Sequence, residues 1–269
     1  GEGREEVMRK MTVSEKAEKS VYAALAIATF FLAWAFITTF TAARETTPGP
    51  VQVIRLLFTS FFEPIGRYTI YGHLYYSLRR VLVGYTVAAV SGIVVGISMG
   101  TSRYAEAIIK PLFELIRPIP PIAWIPLVIL WFGVGELPKY AIIFIGSFTN
   151  ITLNAYTGAQ RVDPTLIGCA RMLGTSDRDI FLRVILPSSL PQIFAGMQVA
   201  LSTAWMAVLA AEMVGAQEGC GWIILRGSDT TNIPLVLVGM VVIGVVGLVL
   251  ATLMREAERR LCSWNRMDV

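Results

Sequence analysis

Six long apolar stretches, separated by polar segments, dominate the sequence. Because about 20 mostly apolar residues are needed to cross the hydrocarbon core of a bilayer, each stretch predicts a transmembrane helix. Four prolines between positions 118 and 126 predict a break in the third stretch. The expected fold class is an all-α membrane protein with six transmembrane helices. These lie at about 21–40, 78–100, 107–132, 139–157, 190–214 and 234–254.

The polar segments between these stretches predict the organisation of the chain. Residues 1–20 are expected to form a cytoplasmic extension before the first transmembrane helix, and residues 41–77 an outer loop. Within that loop, residues 51–62 are amphipathic and are expected to lie on the membrane surface. The remainder, 78–269, is expected to be the core, with a long loop at 158–189 and a C-terminal tail at 255–269.

The charges orient these helices. Only 16% of residues are charged, against about 25% in an average soluble protein, which argues against a soluble enzyme. Of the 23 Lys and Arg residues, fifteen fall on the side of the N-terminus, seven on the opposite side, and Arg117 lies within a helix. This bias predicts that both termini are cytoplasmic. It also accounts for the net charge of +4 without nucleic acid as a partner.

Several kinds of chemistry have no sequence signature here. The three cysteines form no CxxC pair, and with a single histidine no metal site is expected. No GxxxxGK[ST] phosphate loop occurs, so we expect the chain to bind no ATP and no other cofactor. No nucleophile, base and orienting group occur together, so catalysis is not expected either. Any activity of this chain that needs ATP therefore depends on another subunit.

The 158–189 segment is too long for an ordinary helix connection. Its composition predicts one short helix over 164–173, ended by Gly174, and a second that begins at Ser176 or Asp177 and stops at Pro187. The segment resembles the EAA loop with which ABC importer permeases dock on their ATPase. Gly168 and Cys169 replace the Glu and Ala that begin the family pattern. The resemblance implies ATPase coupling for Gly168, Cys169, Ala170, Arg171, Met172, Leu173, Gly174, Val184, Leu186 and Pro187.

Four further runs, at 77–85, 117–127, 131–136 and 210–212, are similar to permeases for taurine, aliphatic sulfonates, nitrate and bicarbonate. The run WFGVGE at 131–136 is closer to the taurine and sulfonate branch, which also includes importers of a thiamine precursor and of aromatic acids. The resemblance implies a type I importer fold in the inner membrane and a pair of permeases, usually identical. It further implies two cytoplasmic ATPase subunits, which hold ATP and Mg, and an outer solute-binding protein.

Polar and aromatic residues within the apolar stretches are candidates for a substrate pathway or gate. For Glu212, the alternatives are contact with a substrate amine, positioning of an arginine, and packing at an outer gate. Arg117 suits an anion, but Glu114 precedes it by three residues and is able to pair with it. The presence of Asn150 and Asn154 in an apolar stretch is explained equally well by hydrogen bonds between helices. The candidates are Arg117, Trp124, Asn150, Asn154, Trp205 and Glu212.

Three other features carry expectations of packing or exposure. Gly92, Gly96 and Gly100 recur every four residues and predict close approach of another helix. The glycines at 219, 221 and 227 suggest a flexible outer loop, and His73 is expected on the surface.

The alternative class of protein is a gradient-driven carrier with six helices. It differs from the importer in that it transports its substrate without an ATPase.

Overall fold

The computed structural model describes residues 2–41 and 47–262. Within this part, the chain forms eleven α-helices. They are α1 (Glu2–Phe40), α2 (Pro50–Thr59), α3 (Ile70–Thr101), α4 (Arg103–Ile116), α5 (Ile125–Phe132), α6 (Glu136–Gln160), α7 (Pro164–Met172), α8 (Asp177–Ile180), α9 (Leu186–Met213), α10 (Cys220–Asp229) and α11 (Ile233–Leu261).

Four helical segments of the described chain are long and apolar enough to cross a membrane: Ser20–Phe40, Ile70–Thr101, Asp177–Met213 and Ile233–Leu261. A fifth span results if α4 and the helical segment Pro121–Phe132 are counted together, although they are bent by 85° at the predicted proline break. The sixth expected span, 139–157, lies within α6, which does not meet the same criteria. Six transmembrane helices and cytoplasmic termini therefore stay predictions.

The polar character of α6 has a structural explanation. This helix lies between α3 and α9 and makes its most extensive contacts with them. Ile143 and Ile151 of α6 are fully buried in the main core, which also contains Ala200 and Ala204 of α9. Because neighbouring helices cover α6, its side chains need not be as apolar as those of a helix that faces lipid.

Several elements extend beyond their predicted bounds. α3 begins at Ile70, within the predicted outer loop, and α11 continues to Leu261, within the predicted tail. The predicted extension and first transmembrane helix form the single helix α1. Residue 1, residues 42–46 of the outer loop and residues 263–269 of the tail lie outside the described residues. The amphipathic stretch at 51–62 contains most of α2, where Val53 packs into the core.

The predicted end of a helix at Pro187 is wrong. α8 continues through a π-helical segment, Phe181–Ile185, directly into α9, so that Asp177–Met213 forms one helical segment. Pro187 lies in the first turn of α9, and proline is tolerated at such a position. The wider π turn offers a way to accommodate a residue that lacks a backbone N–H.

The glycine stripe of α3 makes the close helix contact that its spacing predicts. A Cβ atom added to Gly96 would lie 2.5 Å from the Thr152 carbonyl oxygen and 2.6 Å from Ala155 Cβ of α6. At Gly100, it would lie 2.6 Å from Ala159 Cβ. The backbones of α3 and α6 therefore pack at a distance that only glycine permits.

We expect Gly96→Ala to destabilise the protein by about 1–3 kcal/mol, the usual cost of adding a methyl group to a tightly packed interface. The measurement is unfolding in detergent, followed by tryptophan fluorescence. Gly244→Ala is the matched control, because Gly244 of α11 has open space around an added Cβ. Equal stability of the two variants would contradict the close packing of α3 on α6.

Candidate coupling segment and transport pathway

The first helix of the 158–189 segment has a well-defined beginning. Asp163 caps α7 by accepting a hydrogen bond from the Thr165 backbone N–H at 2.8 Å, and Pro164 occupies the first helical turn. Hydrogen bonding to Thr165 holds the pKa of Asp163 below its ordinary value. The N-terminus of α7 is therefore fixed by its own sequence.

Gly174 ends this helix and reverses the chain. Its φ of +76° is in the left-handed region that favours glycine. The Gly174 N–H donates to the Arg171 carbonyl at 2.9 Å, and the Thr175 N–H to the Ala170 carbonyl at 3.1 Å. Ser176 then caps α8 by accepting from the Asp179 N–H at 3.2 Å. The tip of the segment is thus an ordered turn between two capped helices.

This turn presents apolar side chains to the surroundings. Met172 and Leu173, immediately before Gly174, are 82% and 84% exposed. Arg171 and Arg183 are also exposed, and their ion pairs with described residues are to Asp177 and Asp179 of the same segment, at 3.5 and 3.3 Å. Exposed apolar residues within a charged rim are typical of a protein docking surface.

The other predicted coupling residues lie on or directly behind this tip. Cys169 is exposed, whereas Gly168 and Ala170 are half-buried. A Cβ atom added to Gly168 would meet nothing within 4 Å, so the larger Glu of the family pattern has room here. Val184, Leu186 and Pro187 are half-buried where the π-helical segment meets α9.

A polar cavity of about 220 Å³ lies at the proline break between α4 and α5. The side chain of Asn150 on α6 donates hydrogen bonds to Thr203 Oγ1 of α9 at 3.2 Å and to the Gly146 carbonyl at 3.1 Å. Arg117 is exposed at this cavity and forms no ion pair with Glu114. The cavity is lined by Arg117, Ile119, Pro120, Pro121, Ile145, Gly146, Thr149, Asn150, Leu153 and Thr203.

Three of the other pathway candidates lie outside the lining of this cavity. Asn154 donates to the Asn150 carbonyl at 2.9 Å and accepts from Gln192 Nε2 at 2.7 Å, which links α6 to α9. Trp124 packs against a core cluster that includes Ile125 and Val128. Trp205 is buried and donates from Nε1 to the Ile243 carbonyl of α11 at 3.2 Å.

Glu212 is fully buried and belongs to a network of charged groups. Its carboxylate accepts hydrogen bonds from Ser77 Oγ at 2.8 and 2.9 Å, and from Arg80 at 2.9 Å. Arg80, also fully buried, makes further ion pairs with Glu136 at 2.6 Å and Glu218 at 2.7 Å. We call Ser77, Arg80, Glu136, Glu212 and Glu218 the Arg80 cluster.

The sequence interpretation singled out only Glu212 from this cluster. The signal for its partner was present, since Arg79 and Arg80 occur together in an otherwise apolar stretch, where a charge needs a partner. Both arginines are among the seven basic residues that the charge count assigns to the outer side, and that assignment hid their position inside the predicted helix at 78–100. The expected surface position of His73 is also wrong, because the side chain is fully buried. Its Nε2 lies 3.0 Å from the Ile65 carbonyl oxygen, and its ring stacks on Trp222.

Comparison with known proteins places these features in a family. Residues 92–261 match the family model described as binding-protein-dependent transport system inner membrane component. A probable ABC transporter permease of Brucella abortus (strain 2308) is 39% identical over 218 residues, which cover 81% of this chain and 86% of the relative. The chain belongs to this family and is an integral protein of the inner membrane.

Several relatives carry substrate names, among them aliphatic sulfonates, taurine and nitrate. The taurine transport system permease protein TauC of Escherichia coli (strain K12) is 34% identical over 81% of this chain and 80% of its own length. The nitrate import permease protein NrtB of Synechocystis sp. (strain ATCC 27184 / PCC 6803 / Kazusa) is 31% identical over 86% of both chains. The sequence resemblance to the taurine, sulfonate and nitrate permeases is thereby confirmed.

A solved structure supports the fold. The crystal structure of an amino acid ABC transporter with histidines aligns with a TM-score of 0.60 and 17% identity. The alignment covers 80% of this chain and 99% of the solved chain. The described helices therefore have the type I ABC importer permease arrangement.

Gly168 and Gly174 of the 158–189 segment generate a matched prediction. An added Cβ meets nothing within 4 Å at either Gly168 or Gly174, but only Gly174 has a positive φ. We expect Gly168→Ala to stabilise α7 by about 0.5–1 kcal/mol and Gly174→Ala to destabilise the turn by about 1–2 kcal/mol.

Hydrogen exchange of the α7 backbone amides, followed by mass spectrometry, measures both effects. Exchange should slow in Gly168→Ala and quicken in Gly174→Ala. A change in the same direction for both variants would show that the backbone conformation at Gly174 is not what ends the helix.

Proposed function

We propose that this protein is the permease subunit of an ATP-driven importer that passes a small organic or inorganic anion to the cytoplasm, and that this anion is a sulfonate such as taurine. A separate ATPase hydrolyses ATP, a solute-binding protein delivers the substrate, and two identical permease chains form the pathway. The observation that carries the proposal is the combination of an exposed docking tip with a cationic cavity at the broken span.

The docking tip is mechanically connected to the transmembrane helices. α8, the π-helical segment and α9 are continuous, so movement of α8, which directly follows the turn at Gly174, is passed to α9 without an intervening loop. The exposed Met172 and Leu173 supply apolar contact area for an ATPase. The four arginines at 161, 171, 178 and 183 supply a basic rim for its acidic groups.

The cavity has the chemistry of an anion site. Its lining contains one guanidinium, one amide and two hydroxyl side chains, from Arg117, Asn150, Thr149 and Thr203, and no carboxylate. Arginine binds planar and tetrahedral oxyanions by charge-assisted, often bidentate, hydrogen bonds. A sulfonate, nitrate or bicarbonate fits this description.

Glu212 is assigned no contact with substrate in this proposal. Its oxygens already accept hydrogen bonds from Ser77, Arg80 and the Gly221 N–H, so no acceptor faces a substrate amine. The proposed site therefore binds only the anionic end of a substrate, at Arg117. Such a site distinguishes between anions less sharply than a site that also binds an amine at the other end of the substrate. Because one relative is named for taurine and another for nitrate, both substrates are included in the test.

The test is ATP hydrolysis and uptake by the complete transporter in proteoliposomes, with taurine, alkanesulfonates, nitrate and bicarbonate as substrates. We expect Arg117→Gln to raise the half-saturating substrate concentration about tenfold to a hundredfold, the usual contribution of a hydrogen bond to a charged group. Arg117→Lys should retain part of the affinity, because it keeps the charge but loses the bidentate geometry.

Arg103→Gln is the matched control, because Arg103 is at the opposite end of α4 and does not line the cavity. Half-saturation unchanged in Arg117→Gln would refute the anion site. Uptake that needs no ATPase and follows an ion gradient would refute the importer and favour the carrier alternative.

The native cysteines give an independent test of the docking tip. Cys169 is exposed, whereas Cys220 and Cys262 are buried, so a maleimide should label the isolated permease at Cys169. We expect bound ATPase to protect Cys169, because it lies on α7 three residues before Met172. Equal labelling of Cys169 with and without the ATPase would contradict docking at this segment.

A further inference from the structure

The N-terminus of α10 is held by buried side chains of two other helices. Three consecutive backbone N–H groups each have a side-chain acceptor. The Gly219 N–H donates to His73 Nδ1 at 3.0 Å, the Cys220 N–H to Ser77 Oγ at 2.9 Å and the Gly221 N–H to Glu212 at 2.9 Å. The first turn of α10 is thus fastened to α3 and α9.

Arg80 continues this row of contacts along α3. Besides its ion pairs with Glu136, Glu212 and Glu218, it donates a hydrogen bond to the Glu218 backbone carbonyl at 2.9 Å. One guanidinium therefore connects the beginning of α6, the end of α9 and the residue that precedes the N-cap of α10. A lysine has one ammonium group and no planar fork, so it is unable to make all these contacts at once.

The glycines beside this cluster serve close packing rather than flexibility. Gly219 has a φ of +119°, and an added Cβ would collide with the Glu212 carboxylate. At Gly221, an added Cβ would collide with the Leu209 carbonyl oxygen. The expected flexible outer loop is therefore wrong in this part, since its glycines let the backbone lie directly on α9.

From these contacts we infer that Arg80 is a positioning residue that keeps the first turn of α10 docked on α3 and α9 throughout the transport cycle. The Arg80 cluster joins the ends of α3, α6 and α9 and the residue before α10 in one unit. Undocking α10 would take Glu218 away from Arg80 and the Gly221 N–H away from Glu212, which leaves buried polar groups with fewer partners and is unfavourable. The part of this inference that concerns the transport cycle rests on the proposed function, whereas docking of α10 does not.

Cys220 is a native reporter of this docking, because it is fully buried in the first turn of α10. In full-length protein carrying Cys169→Ser and Cys262→Ser, maleimide labels only Cys220. We expect Arg80→Lys to raise the labelling rate about tenfold or more, since loss of charged hydrogen bonds shifts the local opening equilibrium by that order.

Arg79→Lys is the matched control. Arg79 precedes Arg80, but its side chain is 40% exposed and its ion pair is with Glu136 alone at 3.2 Å. This variant should label as slowly as the parent protein. Slow labelling of Cys220 in Arg80→Lys, in a variant that elutes from size exclusion like the parent, would overturn the inference. Glu212→Gln tests the same contact with a nearly isosteric side chain and should also label faster.

Two measurements on the assembled transporter test the role in transport. Cys220 of the parent chain should stay protected with and without ATP and orthovanadate, and its exposure in either state would show that α10 undocks. Arg80→Lys should lower maximal substrate-stimulated ATP hydrolysis at unchanged half-saturating substrate, unlike Arg117→Gln. If Arg80→Lys exposes Cys220 but leaves the maximal rate of ATP hydrolysis unchanged, the positioning role of Arg80 in transport is overturned. If no ATPase drives transport, the labelling of resting protein still decides whether Arg80 docks α10.

Discussion

The close packing of α6 between α3 and α9 is the constraint on which the rest of this structure depends. Gly96 and Gly100 of α3 bring the two backbones into direct contact, so α6 is largely shielded from lipid. This shielding lets α6 carry Asn150 and Asn154, whose amides hydrogen-bond to neighbouring groups. A polar cavity within the bundle therefore becomes compatible with a membrane environment.

α9 connects the three functional regions of the chain. Its N-terminal extension through the π-helical segment carries the docking tip, Thr203 in its middle contributes to the cavity, and Glu212 near its end belongs to the Arg80 cluster. A helix is stiff along its axis, so displacement at one end is transmitted to the other. α9 thereby gives a direct physical route between the 158–189 segment and the N-terminus of α10.

Two groups of charges in the described chain have different surroundings. Those of the 158–189 segment that form ion pairs are exposed, and such pairs contribute little to stability. Arg80 and Glu212 are buried and each makes several hydrogen bonds. Breaking the buried group therefore costs far more free energy than breaking the exposed pairs.

The sequence alone determined the membrane class, the proline break after α4, the end of α7 at Gly174, the beginning of α8 at Ser176, and the family, because these depend on local composition and spacing. Only the tertiary structure decided that Arg80 and Glu212 are partners, since they lie 132 positions apart in the chain. It likewise separated Arg117 from Glu114 and buried His73. Long-range pairing depends on how helices pack against one another, and hydrophobic periodicity does not encode which polar side chains then meet.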